Sequence, residues 1–414
     1  LDALRNVATY ARANKEDFEQ LVMQTTSDAR KRSLQIGRTE IFMNTKRYDR
    51  FYPGKVWLDT EGKRIQAHGG SIMYTNGKYY LYGENKEKTL PGSEVWHWGV
   101  RLYSSDDLYN WTDEGNIFEP SHDEKSPVHF SQYLDRPHII FNEKTGKYVM
   151  WIKIMKKEKM CDQIMVVAVA DNITDKFKMI SAKTILGLSS GDFDLTIDEK
   201  TKRAYIYFDK VHDYKTNCDD YSKQHTHIVC APLNDDYTDV CGTYTEHLET
   251  RGGSYGREAP SFFERNGKKY LFTSATTGYI PNPTECAVCD TYDGDWKNIG
   301  TVHINDTENT SFRSQISSVF KHPFKKDLYI AVADRWLVNM PDDFPNNFYD
   351  VLRSRNDPDR AQLMSDEEIE KIRSCNKPDV RNTSIADYVY LPIEFDGDKP
   401  VIKWHDEWKI EDFE

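Results

Sequence analysis

Five polar or ionisable residues recur at one offset along this 414-residue chain. His68, Asp135, Asp192, Glu258 and Gln315 each stand 12 to 14 residues before a tyrosine shared by five similar apolar segments: Tyr80, Tyr148, Tyr205, Tyr270 and Tyr329. If a fold gathers them, Asp135, Asp192 and Glu258 become a cluster of carboxyl groups that cannot all ionise at ordinary pKa values. Burial and neighbouring charge then spread the values and leave one group an acid at neutral pH. A protonated carboxyl opposite a group that activates water is what cleavage of a glycosidic bond requires. For each residue alone the competing reading is local: an ion pair of Asp135 with Arg136, of Glu258 with Arg257, or a turn cap. Recurrence at one position in five units favours a shared site. His68, in the run QAHGG, reads equally as a core histidine or as one facing a ligand. Gly69 and Gly70 after it signal a close backbone approach.

The elements that must position these residues are visible as a repeat. The runs NGKYYLYGE from Asn76, TGKYVMWIK from Thr145, TKRAYIYFD from Thr201, NGKKYLFTS from Asn266 and KKDLYIAVA from Lys325 each combine a turn with an apolar strand. Ahead of them lie GGSIMY, RPHIIF, FDLTI, APSFF and ISSVF, so each unit opens with a hairpin. Further strands follow, as in VRLYSSDDLYNW, VVAVADNITDKF, IVCAPLNDDY, CAVCDTYDGDW and YVYLPIEFDGDKPVIKW. Four strands per unit, repeated at about 60 residues, predict an all-β, five-bladed β-propeller. The innermost strand of each blade lines the central channel, so equivalent positions at its start converge on one mouth. Aromatic walls suit the apolar faces of a sugar ring, and Trp96, Trp98, Tyr255, Tyr279 and Trp336 are candidates. Most of the other aromatics read as blade core.

Two stretches fall outside the repeat. Residues 1–50 show helical spacing of apolar residues and predict an N-terminal helical extension to a propeller over 51–414. Residues 341–380 read as an insertion in the last blade, where Ser365 and Glu368 form a capping box for the helix DEEIEKIRS. Acidic residues outnumber basic ones, 67 to 55, for a formal charge of −12. That balance excludes a basic surface for nucleic acid or anionic membrane. The longest apolar run, Ile164 to Ala170, is far short of the roughly 20 residues of a membrane helix. With Leu at position 1, any targeting peptide is expected to have been removed or left out. Seven cysteines do not make a dense disulfide framework. Cys286 and Cys289 form a C-x-x-C without a second ligand pair, so no metal site is expected.

The motifs QAHGGSIMY, YYLYGENK, VRLYSSDDLYNW, DRPHIIFN, SGDFDLTID, YGREAPSFF, TSATTGYIPN, SFRSQISSV, ADRW and YVYLPIEFD run in order from about residue 55 to 410. On them the chain resembles glycoside hydrolase family 43, and within it the exo-β-1,3-galactanase branch. The resemblance implies a five-bladed propeller and inverting hydrolysis, with Glu258 as the acid and Asp192 tuning its pKa. Asp194 is the alternative if the strand register differs. In the wider family the base is a first-blade Asp, where this chain has His68. The galactanase branch lacks that Asp and carries an acid before the R-P of the second blade, here Asp135, and a Gln in the fifth, here Gln315. Members of the branch usually show Glu where this chain has the shorter Asp135. The resemblance leaves open whether Gln315 activates water through a tautomer relay, or orients it while Asp135 takes the proton.

Gln66, His68, Glu84, Thr276, Gly278, Asn282, Arg335 and Trp336 are expected, on the same resemblance, to bind sugar hydroxyls. The expected reaction is exo-acting release of galactose from β-1,3-linked galactan, such as the backbone of arabinogalactan. The alternatives are another activity of the same family, an α-L-arabinofuranosidase, β-xylosidase or galactofuranosidase, and a non-catalytic carbohydrate-binding propeller. Expected partners are an oligo- or polysaccharide, with no nucleic acid and no membrane, for a monomer in the extracellular or periplasmic space. No organic cofactor is expected, and a structural cation such as calcium has its place, if any, on the axis near His68.

Overall fold

A computed structural model of the chain describes residues 47–213, 225–251, 256–342, 345, 348 and 365–414. The N-terminal helical extension expected over residues 1–50 lies outside them except for its last four residues, which are not helical. Tyr255 also lies outside.

The five hairpins of the repeat are the inner halves of five antiparallel meanders. Blade I is β1 (His68–Thr75), β2 (Lys78–Glu84), β3 (Val100–Ser105) and β4 (Thr112–Phe118); blade II is β5 (Tyr133–Asn142), β6 (Lys147–Lys156), β7 (Lys159–Ala170) and β8 (Lys178–Lys183). Blade III is β9 (Leu188–Ile197), β10 (Ala204–Asp213), β11 (His225–Pro232) and β12 (Thr245–Arg251), and blade IV is β13 (Arg257–Arg265), β14 (Lys268–Ala275), β15 (Glu285–Cys289) and β16 (Lys297–Thr301). Blade V is β17 (Gln315–Lys321), β18 (Tyr329–Arg335), β20 (Leu391–Asp396) and β21 (Lys399–Ile402), with β19 (Asp387–Tyr388) paired to β18. Two of the hairpins turn on Asn-Gly with both residues at positive φ, Asn76 and Gly77 at 52° and 78°, Asn266 and Gly267 at 52° and 80°. This is the tight turn whose twist matches the flanking strands.

Packing turns five blades into a ring. The inner strand β1 neighbours β5 and β17, β9 neighbours β5 and β13, and β13 neighbours β17, which closes the circle. Five apolar cores fill the seams between successive blades. Alternation along each second strand splits its side chains between two seams. Tyr80 and Tyr82 of β2 pack toward blade II while Tyr79 and Leu81 pack toward blade V. Likewise Tyr207 of β10 joins blade IV, and Ile206 and Phe208 join blade II. Burial on both faces explains why these strands read as nearly continuous apolar runs, at about 1.5–3 kcal/mol per large side chain removed from water. The segment before blade I meets the one after blade V as well: Phe51 N–H donates to the carbonyl of Trp408 at 2.9 Å, and their rings stack at 4.4 Å.

The same alternation separates the two cysteines of the C-x-x-C. Cys286 enters the core between blades IV and V, and Cys289 the core between III and IV, so they face opposite sides of β15. The helix DEEIEKIRS forms as α1 (Asp366–Ser374), between β18 and β19. Its Ile372 is buried with Ile280 and Leu337.

Candidate active site

The strand starts converge through a shared irregularity. Register slips between His68 and Ser71 in β1, Asp135 and His138 in β5, Glu258 and Ser261 in β13, and Ile316 and Ser318 in β17. At three of these bulges one residue takes a left-handed conformation: Gly69 at φ 60°, Arg136 at 53° and Ala259 at 54°. Prolines 137 and 260 follow, tolerated where the ladder is already broken. A bulge bends its strand and re-aims the side chain beside it, here Asp135 and Glu258.

The result is a cavity of about 300 Å³ into which Asp135, Asp192, Glu258 and Gln315 project from four inner strands. Of the residues expected to bind sugar, Glu84, Gly278 and Trp336 also line it. The others do not, and each has a local task. His68 is fully buried, with Nδ1 2.9 Å from Asp334 Oδ1 and its ring stacked on Tyr388 at 4.8 Å. Gln66 donates from Nε2 to the Ser384 carbonyl at 2.9 Å. Asn282 clamps its own loop, accepting the Ala275 N–H at 2.7 Å and donating to the Ala275 carbonyl at 2.9 Å. The backbone N–H of Thr276 donates to the Gly256 carbonyl at 3.1 Å. Arg335 donates to the Phe312 carbonyl at 3.0 Å. Asp194 lies off the cavity too, its Oδ2 accepting the Phe262 N–H at 2.7 Å. The setting of His68 does not fit a hard cation, which needs a cage of oxygens: the two oxygens of Asp334 already accept from His68 and from Gly69 N–H at 2.9 Å.

Neither local ion pair weighed for the sequence forms. Arg136 turns from Asp135 to Asp192, Nε to Oδ2 at 3.2 Å, and donates to Gln315 Oε1 at 2.6 Å. Arg257 instead donates to Thr273 Oγ1 at 3.0 Å. Asp192 has a second cation, Lys153, at 2.7 Å. Burial alone would raise the pKa of Asp192, but Lys153 and Arg136 outweigh it and hold the group down at about 2. Glu258 faces the cavity and is otherwise enclosed. Burial, then the charges of Asp192 and Asp209, push its pKa well above the usual carboxylate range. Burial raises Glu84 to about 7 despite Lys86 at 2.7 Å, and burial with Asp192 raises Asp209 to about 8. One carboxyl is thus held ionised beside others that keep their protons, the condition for acid chemistry near neutral pH.

Gln315 ties this network together, donating from Nε2 to Ser274 Oγ at 2.8 Å and to Glu258 Oε1 at 3.3 Å. Asp135 accepts from Trp96 Nε1–H at 3.0 Å and lies 3.3 Å from Lys153. Above this floor stands an aromatic wall, with ring centroids 4.1 Å apart for Trp96 and Tyr133, 6.0 Å for Trp96 and Tyr279, and 5.1 Å for Tyr279 and Trp336. Trp98 packs instead on His122 and Phe130.

Sequence reasoning missed Lys153, Asp209 and the role of Arg136. The first two sit on second strands, where Lys153 pairs across from Asp135 in register. Their signal was a charged side chain inside an apolar run, YVMWIKIM and YIYFDKV, since buried charges are rare unless partnered. It missed Asn376 and Arg381 as well, which follow α1 and line the cavity.

Residues 64–335 match glycosyl hydrolases family 43. Among solved structures the chain is similar to a family-43 β-1,3-galactosidase, at 24% identity and TM-score 0.68, over 88% of this chain and 64% of that one. It therefore spans slightly less than two thirds of that protein. It is also similar to the exo-β-1,3-galactanase of Phanerochaete chrysosporium solved with galactose, at 22% identity and TM-score 0.66, over 87% of this chain and 68% of that one. A third likeness is to an exo-β-1,3-galactanase from Clostridium thermocellum, at 21% identity and TM-score 0.64, over 88% and 67%. No curated protein matches the chain. At these identities the structural likeness speaks for the propeller. The family match speaks for more, because it runs from just before β1 to the end of β18 and takes in every inner strand: the chain belongs to glycosyl hydrolase family 43.

Proposed function

We propose that this glycoside hydrolase is exo-acting and inverting and releases galactose from the end of a β-1,3-linked galactan. The observation that carries the reading is the placement of Glu258 and Asp192 on one cavity floor, with Asp192 held ionised by Lys153 and Arg136 and Glu258 pushed the other way by burial and neighbouring carboxylates. Glu258 gives its proton to the glycosidic oxygen as that bond breaks, and water attacks the anomeric carbon from the opposite face. Asp135 takes the proton from this water. Gln315 orients it, because an amide is a poor base and the Gln315 oxygen already accepts from Arg136. A cavity near the lower limit of ligand pockets, about 300–1,000 Å³, suits one terminal sugar better than an internal stretch of polymer. Galactan does not cross a membrane, so the reading includes export to the extracellular or periplasmic space.

Incubation with β-1,3-galactobiose, followed by NMR, is expected to show α-galactose first. Initial release of β-galactose overturns inversion. Cleavage of aryl arabinofuranosides or xylosides in place of galactobiose changes the sugar, and sugar binding without any turnover favours a non-catalytic propeller. Replacing Glu258→Gln is expected to lower kcat about 10²–10⁴-fold, the range for a general acid, with little change in KM. Full activity of that variant means the acid is another group.

A further inference from the structure

Arg381 is a cation on the cavity wall that the proposed reaction leaves unused. The two other cations lining the cavity are paired with its carboxylates, Arg136 with Asp192 and Lys153 with Asp192 and Asp135. Among the described residues the side-chain hydrogen bonds of Arg381 go only to Asn376, at 3.4 and 3.5 Å, and none goes to a carboxylate. Its guanidinium instead lies 5.0 Å from the ring centroid of Trp96 and 4.8 Å from that of Tyr279.

The segment that delivers it is held from two sides. Gly92 N–H donates to the Pro378 carbonyl at 3.0 Å, and the hydroxyls of Thr89 and Thr383 meet at 2.8 Å, which anchors it to the connection between β2 and β3. On the other side Gly278, at φ 63°, approaches so closely that a Cβ there would lie 3.2 Å from Asn376 Nδ2. The guanidinium is therefore placed before any ligand arrives. Stacking on aromatic faces takes it partly out of water and leaves its planar donors for an acceptor with two oxygens.

Position decides which part of a substrate would meet it. Asp192 and Asp209 are buried beneath partly exposed Glu258, and Arg381 is carried by the segment that touches the exposed Gly278 at Asn376, which places it toward the mouth. With the terminal galactose seated at Glu258, the mouth holds the sugar on the leaving side of the bond.

We propose that Arg381 binds an anionic group, a carboxylate or a sulfate ester, carried by the sugar next to the terminal galactose, which makes acidic galactan the preferred substrate. This rests on the galactan reading above.

The test compares kcat/KM on β-1,3-galactobiose, on the same disaccharide with a uronate-bearing branch on its reducing galactose, and on its sulfate ester at that galactose. At least one anionic substrate is expected to exceed the neutral one by about 10- to 100-fold, the worth of a charged hydrogen bond. The ratio is expected to shrink as salt rises. Which anionic arm shows it identifies the source. Arg381→Met is expected to bring the ratio near one, and Arg381→Lys to retain part of it, with unchanged thermal unfolding as the check on folding. No preference in the wild type, or an equal loss on all three substrates in Arg381→Met, overturns the proposal.

If no galactobioside is cleaved, the galactan reading has failed separately. The anion site is then decided by calorimetric titration with glucuronate and with galactose 6-sulfate. At least tenfold weaker binding by Arg381→Met supports it, and equal binding overturns it.

Discussion

Arg136 reaches three polar groups of the cavity from one backbone position: its N–H donates to Glu84 at 3.0 Å while its guanidinium meets Asp192 and Gln315. That fan of contacts needs the left-handed φ of the bulge. Asp209 works on the same network through charge. In the proposed reaction Glu258 must be protonated to act, so activity is expected to fall as pH rises through its pKa. Asp209 ionises near 8, and above that its charge helps keep the proton on Glu258. Asp209→Asn is therefore expected to move the alkaline limb of the kcat profile to lower pH. An unmoved limb in a folded variant means that the two carboxyls are uncoupled. Lys153 and Asp209 escaped the sequence reading although they end two of the repeat's own runs, because the site was sought only at the starts of first strands. Their partnership becomes visible only when β6 lies against β5, and β10 against β9.

At the scale of elements, what the inner strand tolerates is set by its neighbour. A Cβ on Gly191 would lie 2.1 Å from Asp209 Oδ2, so Gly191→Ala forces that carboxylate to move. The expected cost is about 1–3 kcal/mol of stability, as for an overpacked core. The alkaline limb is expected to move in the same direction as for Asp209→Asn. Urea unfolding and a pH–rate profile check both, and wild-type behaviour in each contradicts the packing. The hairpins were legible because five short apolar runs recur behind turn residues, and runs of that length bounded by turns read as strands. Prolines 137 and 260 were legible only as parts of motifs. Their meaning, a bulge that turns Asp135 and Glu258 inward, depends on pairing with the second strand. Asn376 and Arg381 were not legible at all, because a charged insertion gives no sign of where its far end returns.

For the molecule as a whole, buried ionisable groups set two opposed dependences of stability on pH. Burial holds His97, His138 and His303 neutral down to about 3, while the unfolded chain takes up those protons below about 6.5. Stability from this source falls as pH drops through that interval. Burial also keeps protons on Glu84 and Asp194 up to about 7 and on Asp209 up to about 8. The unfolded chain loses them near 4, so this contribution falls as pH rises. The two trends oppose each other between about pH 4 and 6.5. Above that only the carboxyls act, and below it the histidines act, joined by Asp192, whose stabilising charge is lost as pH falls toward 2. Calorimetry is expected to show a broad plateau of Tm across roughly pH 4–6.5 with losses on both sides. A Tm that climbs steadily to pH 8.5 would contradict it.

The junction of Phe51 with Trp408 joins the seam that blades I and V already share through their common core and through the neighbouring inner strands β1 and β17. Gln315 at the start of the fifth blade is gripped by residues of blades II and IV, so closing that seam also fixes the amide on the cavity floor. A change that loosens the Phe51–Trp408 seam is thereby transmitted to the cavity without touching any residue that lines it.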